Sequence, residues 1–148
     1  MGSREIIVTV RGLNSYKLSH ITKETREELL NMDLSTLVKM SNTYGSNPAY
    51  VLAGGGNTSV KDDTTLYVKG SGTQLATIKA EEFVKMDRAR LNEIMKTEYP
   101  TDDVKRESAY LADVMAAVTD DDKTKRPSVE ALLHNLFAYT YVLHVHPT

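Results

Sequence analysis

The chain has 148 residues, of which 41% are hydrophobic and 26% are charged, a composition typical of one globular domain and not of a disordered chain. Its 18 basic and 20 acidic residues give a net charge of −2, which argues against a nucleic-acid-binding protein that relies on a positive field. The absence of cysteine excludes disulfides, cysteine-ligated zinc and a cysteine nucleophile. The apolar runs are far shorter than the ~20 residues that cross a bilayer, so we expect a cytoplasmic protein without membrane contact.

The N-terminal part of the chain gives the weakest structural signal. Residues 6–10 are apolar and predict a short edge strand, but the polar stretch after them shows no clear periodicity. Residues 1–33 are therefore interpreted as an N-terminal extension. The first helix is predicted to begin after Asp33, its N-cap, and to end at Gly45.

Short strands alternate with helices along the rest of the chain. Strands are predicted at residues 50–53, 58–60, 65–68, 83–86 and 141–146, with a hairpin between the second and third of these. Helical segments are predicted at residues 79–82, 88–96, 102–118 and 129–137. The last helix carries three leucines, Leu132, Leu133 and Leu136. This alternation predicts an α/β or α+β fold.

Two histidines near the C-terminal end, His144 and His146, form the most informative pair in the sequence. Residues two apart in a strand project from the same face, so both imidazoles should point to one place. Imidazole ligands on a rigid scaffold suit a divalent cation such as zinc. The alternative is a pair of surface histidines at the end of a strand, and the pair alone leaves both interpretations open.

Glu130 lies at the start of a predicted helix, in the segment Pro127-Ser128-Val129-Glu130. A carboxylate at this position commonly caps the helix or interacts with its dipole. Only 14 residues separate it from His144, so a helix followed by a returning strand could place it beside a metal as a general base. His134 shares a helix face with Glu130 but has leucines nearby, so we expect it to be partly buried and structural.

Two glycine-rich loops carry hydroxyl and amide side chains. The first is Gly-Gly-Gly-Asn-Thr-Ser at residues 54–59, and the second is Gly-Ser-Gly-Thr at residues 70–73. Such loops can offer N–H and O–H donors to a phosphate. Neither has the dinucleotide-binding or P-loop pattern, so each by itself predicts an ordinary turn.

Four stretches, taken together and in this order, resemble the class II aldolase/adducin family. They are residues 55–59, 69–73, 126–134 and 144–147. The similarity extends over about residues 35 to 148 and is strongest to the aldolase domains of the rhamnulose-phosphate aldolase/dehydrogenase fusion type. It implies a three-layer α/β/α sandwich with a mixed, largely antiparallel central sheet. Residues 34–148 would be the N-terminal part of such a domain, and we expect its third histidine ligand beyond Thr148.

The resemblance also implies an activity. Members of this kind are zinc-dependent lyases that cleave a ketose 1-phosphate, such as rhamnulose or fuculose 1-phosphate, into dihydroxyacetone phosphate and an aldehyde. Matched residue by residue, His144 and His146 would be ligands of one Zn²⁺, and Glu130 would be the acid/base carboxylate. The sugar phosphate would be bound by Gly56, Asn57, Ser71, Gly72, Ser128 and Val129. Family members often have a second serine in place of Val129, and they usually assemble as homotetramers.

Two other functions remain open at this point. Sugar-phosphate epimerases and a dehydratase of the same family use the same metal-enediolate chemistry. An adducin-like binding module would instead keep the fold without the metal site. The presence of His144, His146 and Glu130 favours an enzyme, whereas the missing third histidine favours the binding module.

Overall fold

A computed structural model describes residues 6–10 and 23–147, and for residues 6–10 and 23–33 it describes the backbone only. The strands of this part are β1 (Ile6–Val10), β2 (Asn57–Lys61), β3 (Thr65–Lys69), β4 (Phe83–Asp87) and β5 (Tyr141–Val145). The helices are α1 (Lys23–Gly45), α2 (Arg88–Ile94), α3 (Asp103–Ala116) and α4 (Ala131–Leu136), with a 3₁₀ turn at Ala80–Glu82. None of the helices in these residues is long and apolar enough to cross a membrane.

The strands form one sheet in the order β1-β5-β2-β3-β4. The predicted edge strand at residues 6–10 is confirmed, because β1 lies at the edge of the sheet beside β5. The predicted hairpin is also confirmed, and its turn is fixed by Asp62, whose Oδ1 accepts from the N–H groups of Thr64 and Thr65 at 2.8 and 2.7 Å. Every strand pair in the described part of the chain is antiparallel.

Helices cover both faces of this sheet, as the predicted α/β/α sandwich requires. On one face α1 packs over a cluster that contains Leu37, Val60, Ile78, Phe83 and Tyr141. On the other face the buried residues of β3 and β4 pack against α2, α3 and α4, in a cluster that includes Leu66, Val68, Met86, Leu91, Val114 and Ala131. Because strand residues alternate between the two faces, each strand contributes side chains to both layers.

Two predicted elements near the N-terminal end were wrong in extent or type. The first helix begins at Lys23, and Asp33 lies inside it; its first residues are mostly polar, so they carry no apolar periodicity. Residues 50–53 form no strand. Val51 is apolar because it is buried against Leu75 and Leu143, while the backbone of this segment turns through hydrogen bonds to the carbonyl of Asn47.

The short helix α4 packs with its polar side towards the sheet. Leu133 and Leu136 do not belong to its buried face, since they are 39% and 59% exposed, whereas Leu132 packs partly buried against the core. The buried residues are instead Ala131, His134 and Asn135. The polar character of the sheet surface beneath the helix explains this orientation.

That surface consists of alternate residues of β2, each of which makes a hydrogen bond towards α4. Asn57 Nδ2 donates to Ser128 Oγ, immediately before the helix. Ser59 Oγ lies 2.7 Å from His134 Nδ1, and Lys61 Nζ donates to the carbonyl of His134 at 2.8 Å. A cation at the last carbonyls of a helix also interacts favourably with the helix dipole.

Lys61 brings a charge into this layer, which predicts a pH dependence of stability. Burial lowers the pKa of Lys61 from 10.5 to about 8, and the nearby Arg88 guanidinium lowers it as well. The unfolded chain keeps the ordinary pKa, so between pH 8 and 10.5 it binds more protons than the folded chain. The free energy of unfolding should therefore rise with pH across this window.

We expect Lys61→Met to remove that rise. Urea unfolding of both proteins at several pH values between 8 and 10.5 measures the difference. The matched control is Lys39→Met, which changes an exposed lysine of α1 and should follow the wild type. Parallel curves for the wild type and Lys61→Met would contradict the prediction.

Candidate functional site

The structure brings Glu130, His144 and His146 into one cluster. One ligand atom from each residue lies within 4.8 Å of the other two. The two imidazole centroids are 4.6 Å apart, so the two histidines share one side of the strand end. The backbone N–H of His146 donates to the carbonyl of Tyr50 at 3.1 Å, which anchors the chain just after β5.

Glu130 lies between two imidazoles. Its Oε2 is 2.7 Å from His144 Nδ1 and 3.5 Å from His134 Nε2. The His134 imidazole, and then His144, hold the pKa of Glu130 down to about 2, although burial acts in the opposite direction. The carboxylate is therefore ionised at neutral pH. Its backbone, with φ −86° and ψ 4°, lies in the sparsely populated bridge region where many active-site residues are found.

The donor set of this cluster fits a divalent cation. Because an ionised carboxylate only accepts hydrogen bonds, the proton between Glu130 and His144 belongs to His144 Nδ1. The other ring nitrogen of a neutral His144 then carries the lone pair that a metal needs, an arrangement typical of metal-binding histidines. Two imidazoles with a carboxylate close by are ligands that zinc takes in catalytic sites.

Asn57 and Ser128 lie next to this cluster. Asn57 is directly opposite His144 in the β2–β5 pair, and its side chain contacts Ser128 Oγ. Ser128 Oγ in turn accepts from the N–H of Glu130 at 3.2 Å. The side chain of Asn57 is buried, yet its Oδ1 has no hydrogen-bond partner among the described residues. A buried amide oxygen of this kind is costly unless a ligand completes it.

The second glycine loop is tied to the segment that precedes α4. The N–H of Ser71 donates to the carbonyl of Arg126 at 2.8 Å, and the N–H of Ser128 donates to the carbonyl of Lys69 at 2.9 Å. These bonds hold the loop and the start of α4 side by side. The loop that contains Ser71 therefore reaches the neighbourhood of the cluster through its backbone.

The other predicted site residues, Gly56, Gly72, Ser71 and Val129, differ in backbone conformation and in exposure to solvent. Gly56 adopts a positive φ of +76° directly before Asn57. Gly72 also has a positive φ, +83°, and is exposed together with Ser71. Val129 is 88% exposed, so its side chain contributes nothing to the buried part of the cluster.

The sequence did not predict that Ser59 and Lys69 lie near this site. It also did not predict that the His134 ring faces the Glu130 carboxylate. His134 does lie beside Glu130, as the shared helix face predicted, and it is completely buried where partial burial was expected. Its contact with Ser59 was not predicted. Lys69 is a buried lysine whose pKa is lowered by burial and raised by the charge of Glu130. The alternation of polar residues along β2 was the available signal for Ser59.

A cleft of about 510 Å³ lies elsewhere, between α1 and residues 77–81. It contains none of the predicted site residues. The candidate site is therefore placed at the Glu130 cluster on the basis of its chemistry, and not of cavity size.

The chain is similar to a known protein family, to a longer bacterial protein and to a solved domain. The family described as "Class II Aldolase and Adducin N-terminal domain" matches residues 35–148. The chain is 32% identical over 139 residues to "Uncharacterized oxidoreductase YuxG" of Bacillus subtilis (strain 168), an alignment that covers 88% of this chain and 19% of that protein. It is also similar to the solved N-terminal class II aldolase domain of a conserved protein from Thermoplasma acidophilum, with a TM-score of 0.66 and 31% identity. That match covers 78% of this chain and 55% of the solved one.

The conformation of Gly56 gives a testable prediction for the first glycine loop. A Cβ added here would lie 2.9 Å from Leu75 Cδ1 and 3.2 Å from the carbonyl oxygen of His144, in addition to the positive φ. We expect Gly56→Ala to reduce the free energy of unfolding by about 1–3 kcal/mol, measured by chemical denaturation.

Gly54→Ala is the matched control in the same loop. Nothing lies within 4 Å of the Cβ that this substitution adds, so stability should change by less than about 0.5 kcal/mol. Equal losses for the two variants would contradict the account of Gly56.

Proposed function

The chain belongs to the family of class II aldolase and adducin N-terminal domains, and we propose that its Glu130 cluster is the metal centre of an aldolase that cleaves a ketose 1-phosphate. The products would be dihydroxyacetone phosphate and an aldehyde. The observation that carries this proposal is the convergence of two imidazoles and a carboxylate, with donor atoms within 4.8 Å of one another. The coarser assignment, a class II aldolase-like domain, rests on the family match and the solved structure.

In this proposal His144 and His146 bind one Zn²⁺, and a third ligand comes from the remainder of the protein. The bound ion would act as a Lewis acid on the substrate carbonyl and stabilise negative charge on its oxygen. The hydrogen bond from His144 Nδ1 to Glu130 fixes the tautomer and the ring orientation of His144. Glu130 thus supports the ligand set in addition to any role in proton transfer.

The proposed proton transfer uses the ionised carboxylate of Glu130. It accepts a proton from the substrate hydroxyl as the carbon–carbon bond breaks, and returns a proton to the carbon that has lost its partner. The bond from the Glu130 N–H to Ser128 fixes the backbone from which this side chain extends. Its side chain is 28% exposed, which leaves room for contact with a bound substrate.

Asn57 and the glycine loops are the proposed contacts of the sugar phosphate. Asn57 Nδ2 donates one hydrogen to Ser128 Oγ, which also accepts from the Glu130 N–H. The second hydrogen of this amide nitrogen is left to donate to a phosphate. Ser71 and the backbone N–H groups of Gly56, Gly72 and Val129 would add further donors.

The comparison with the Bacillus protein supports a longer, bifunctional protein. This chain corresponds to 19% of that relative, whose name describes an oxidoreductase. An aldolase domain joined to a dehydrogenase fits both facts, and it favours rhamnulose 1-phosphate as the substrate. A homotetrameric assembly stays a prediction from the resemblance.

The metal centre can be tested in the complete protein. We expect His146→Ala to lose zinc and activity, because it removes a ligand. Glu130→Gln should keep zinc and lower kcat by roughly 10²–10⁴, the usual contribution of a positioned acid or base. Elemental analysis and turnover of rhamnulose 1-phosphate measure the two effects.

Asp120→Asn is the control for the charge change. This carboxylate forms an ion pair with Lys125, outside the cluster, so both readouts should stay at the wild-type level. Loss of zinc with Glu130→Gln would contradict the proposed role, because the carboxylate would then be needed to hold the metal, directly or through His144. A wild-type protein that binds no zinc would remove the aldolase proposal.

Recognition of phosphate gives a second prediction. Asn57→Ala and Ser71→Ala should weaken binding of a ketose 1-phosphate by roughly 10- to 150-fold, which corresponds to about 1.5–3 kcal/mol for a hydrogen bond to a charged group. Binding of the unphosphorylated ketose should hardly change. Titration calorimetry with both ligands measures the difference.

Ser46→Ala, at an exposed serine outside the loops, is the matched control and should bind both ligands like the wild type. Asn57→Ala should also lower the melting temperature more than Ser71→Ala, because it removes a contact to Ser128. Equal affinity losses for the two ligands would show that these side chains do not recognise phosphate.

A further inference from the structure

We propose that His134 is a positioning residue, a second imidazole that holds the carboxylate of Glu130 in place for proton transfer. The inference deepens the proposed function of Glu130 and rests on it. His134 follows Glu130 by one helical turn and is completely buried, with Nε2 3.5 Å from Glu130 Oε2. His144 Nδ1 approaches the same oxygen at 2.7 Å, so the carboxylate is confined between two rings.

The hydrogen-bond partners of His134 determine its tautomer. Glu130 is an ionised carboxylate and only accepts, so the nitrogen that faces it, Nε2, must carry the hydrogen. The other nitrogen, Nδ1, lies 2.7 Å from the hydroxyl of Ser59, which can donate. Burial lowers the pKa of His134, which agrees with a neutral ring that has a single N–H.

The 3.5 Å between His134 Nε2 and Glu130 Oε2 is longer than a good hydrogen bond. His134 Nε2 is buried and makes no hydrogen bond of good geometry to any described residue. A buried donor without an acceptor is costly, and the Glu130 carboxylate is the group that can relieve this cost by a small movement. His134 therefore draws the carboxylate towards α4, while His144 draws it towards the cluster. A glutamate held in this way loses the rotamer freedom that would otherwise carry it out to solvent.

His134 is itself held firmly enough to perform this role. Its carbonyl accepts from Lys61 Nζ at 2.8 Å, and its ring contacts Ser59. Both partners belong to β2, in the interior of the sheet. The buried His134 ring thus fixes the position of the Glu130 carboxylate relative to the sheet.

Two substitutions of His134 distinguish the contribution of Nε2, which faces Glu130, from that of Nδ1, which faces Ser59. In His134→Gln the side-chain amide reaches the place of Nε2 and can still donate to Glu130. In His134→Asn it reaches only the place of Nδ1, so the contact with Ser59 survives and the donor to Glu130 is lost.

In the complete zinc-loaded protein we expect His134→Asn to lower kcat roughly 10- to 100-fold, the usual effect of losing such a supporting partner. His134→Gln should stay within about threefold of the wild type, and KM should change little in either, since His134 does not touch substrate.

A second measurement does not depend on activity. Long-range ¹H–¹⁵N spectra of histidine-labelled protein without zinc should show His134 with its hydrogen on Nε2, and this signal should shift in Glu130→Gln. Ser59→Ala should weaken the preference for this tautomer. The proposal would be overturned if the hydrogen of His134 were on Nδ1, or if the His134 signal were the same in the wild type and in Glu130→Gln.

Equal losses of kcat in His134→Asn and His134→Gln would also overturn it, because they would indicate a packing role only. Melting temperatures of both variants show whether each is folded under the assay conditions. If the wild-type protein cleaves no ketose 1-phosphate, the proposed function fails. The NMR readouts then still decide whether His134 holds Glu130.

Discussion

Three hydrogen bonds link β2 to the segment around α4, from Asn57 to Ser128, from Ser59 to the His134 ring and from Lys61 to the His134 carbonyl. A helix of six residues is far too short to be stable by itself, and two of the three leucines of this one, Leu133 and Leu136, are exposed. Its position is therefore set by these directional polar bonds together with the packing of Ala131 and Leu132 against the core. Because Glu130 stands at the beginning of α4, these bonds also determine where the carboxylate of the candidate site lies.

Burying charged side chains between β2 and α4 costs desolvation free energy, and hydrogen bonds to the end of α4 offset this cost. Lys61 is buried close to the Arg88 guanidinium, and both side chains donate to the last turn of α4, to the His134 carbonyl and to Asn135. Backbone carbonyls at the end of a helix are well suited to cations. An apolar layer of the same size would cost less in desolvation, but it would leave the rotation of α4 less well defined, and the candidate site depends on that rotation.

Much of the architecture follows from local patterns in the sequence. The alternation at the last strand placed His144 and His146 on one side, and the two short segments at residues 58–60 and 65–68 predicted the hairpin. The wrong strand at residues 50–53 and the missed partner of His134 came from long-range contacts, which a local pattern does not contain. The 50–53 segment is apolar because of a packing partner, Leu75, more than 20 residues away, and not because of strand pairing. The inward orientation of His134 depends on Ser59, which precedes it by 75 residues.

The strand that bears His144 is not at an edge of the sheet, because β1 pairs with it over residues 6–10, with Ile7 opposite His144. The family match, in contrast, begins only at residue 35. A protein trimmed to those family limits would lose β1 and turn β5 into an open edge, with a row of unsatisfied N–H and C=O groups next to the candidate metal ligands. Exposed edges of this kind recruit strands from other molecules. In the described structure β1 therefore protects β5 from such pairing, although β1 lies outside the residues that match the family.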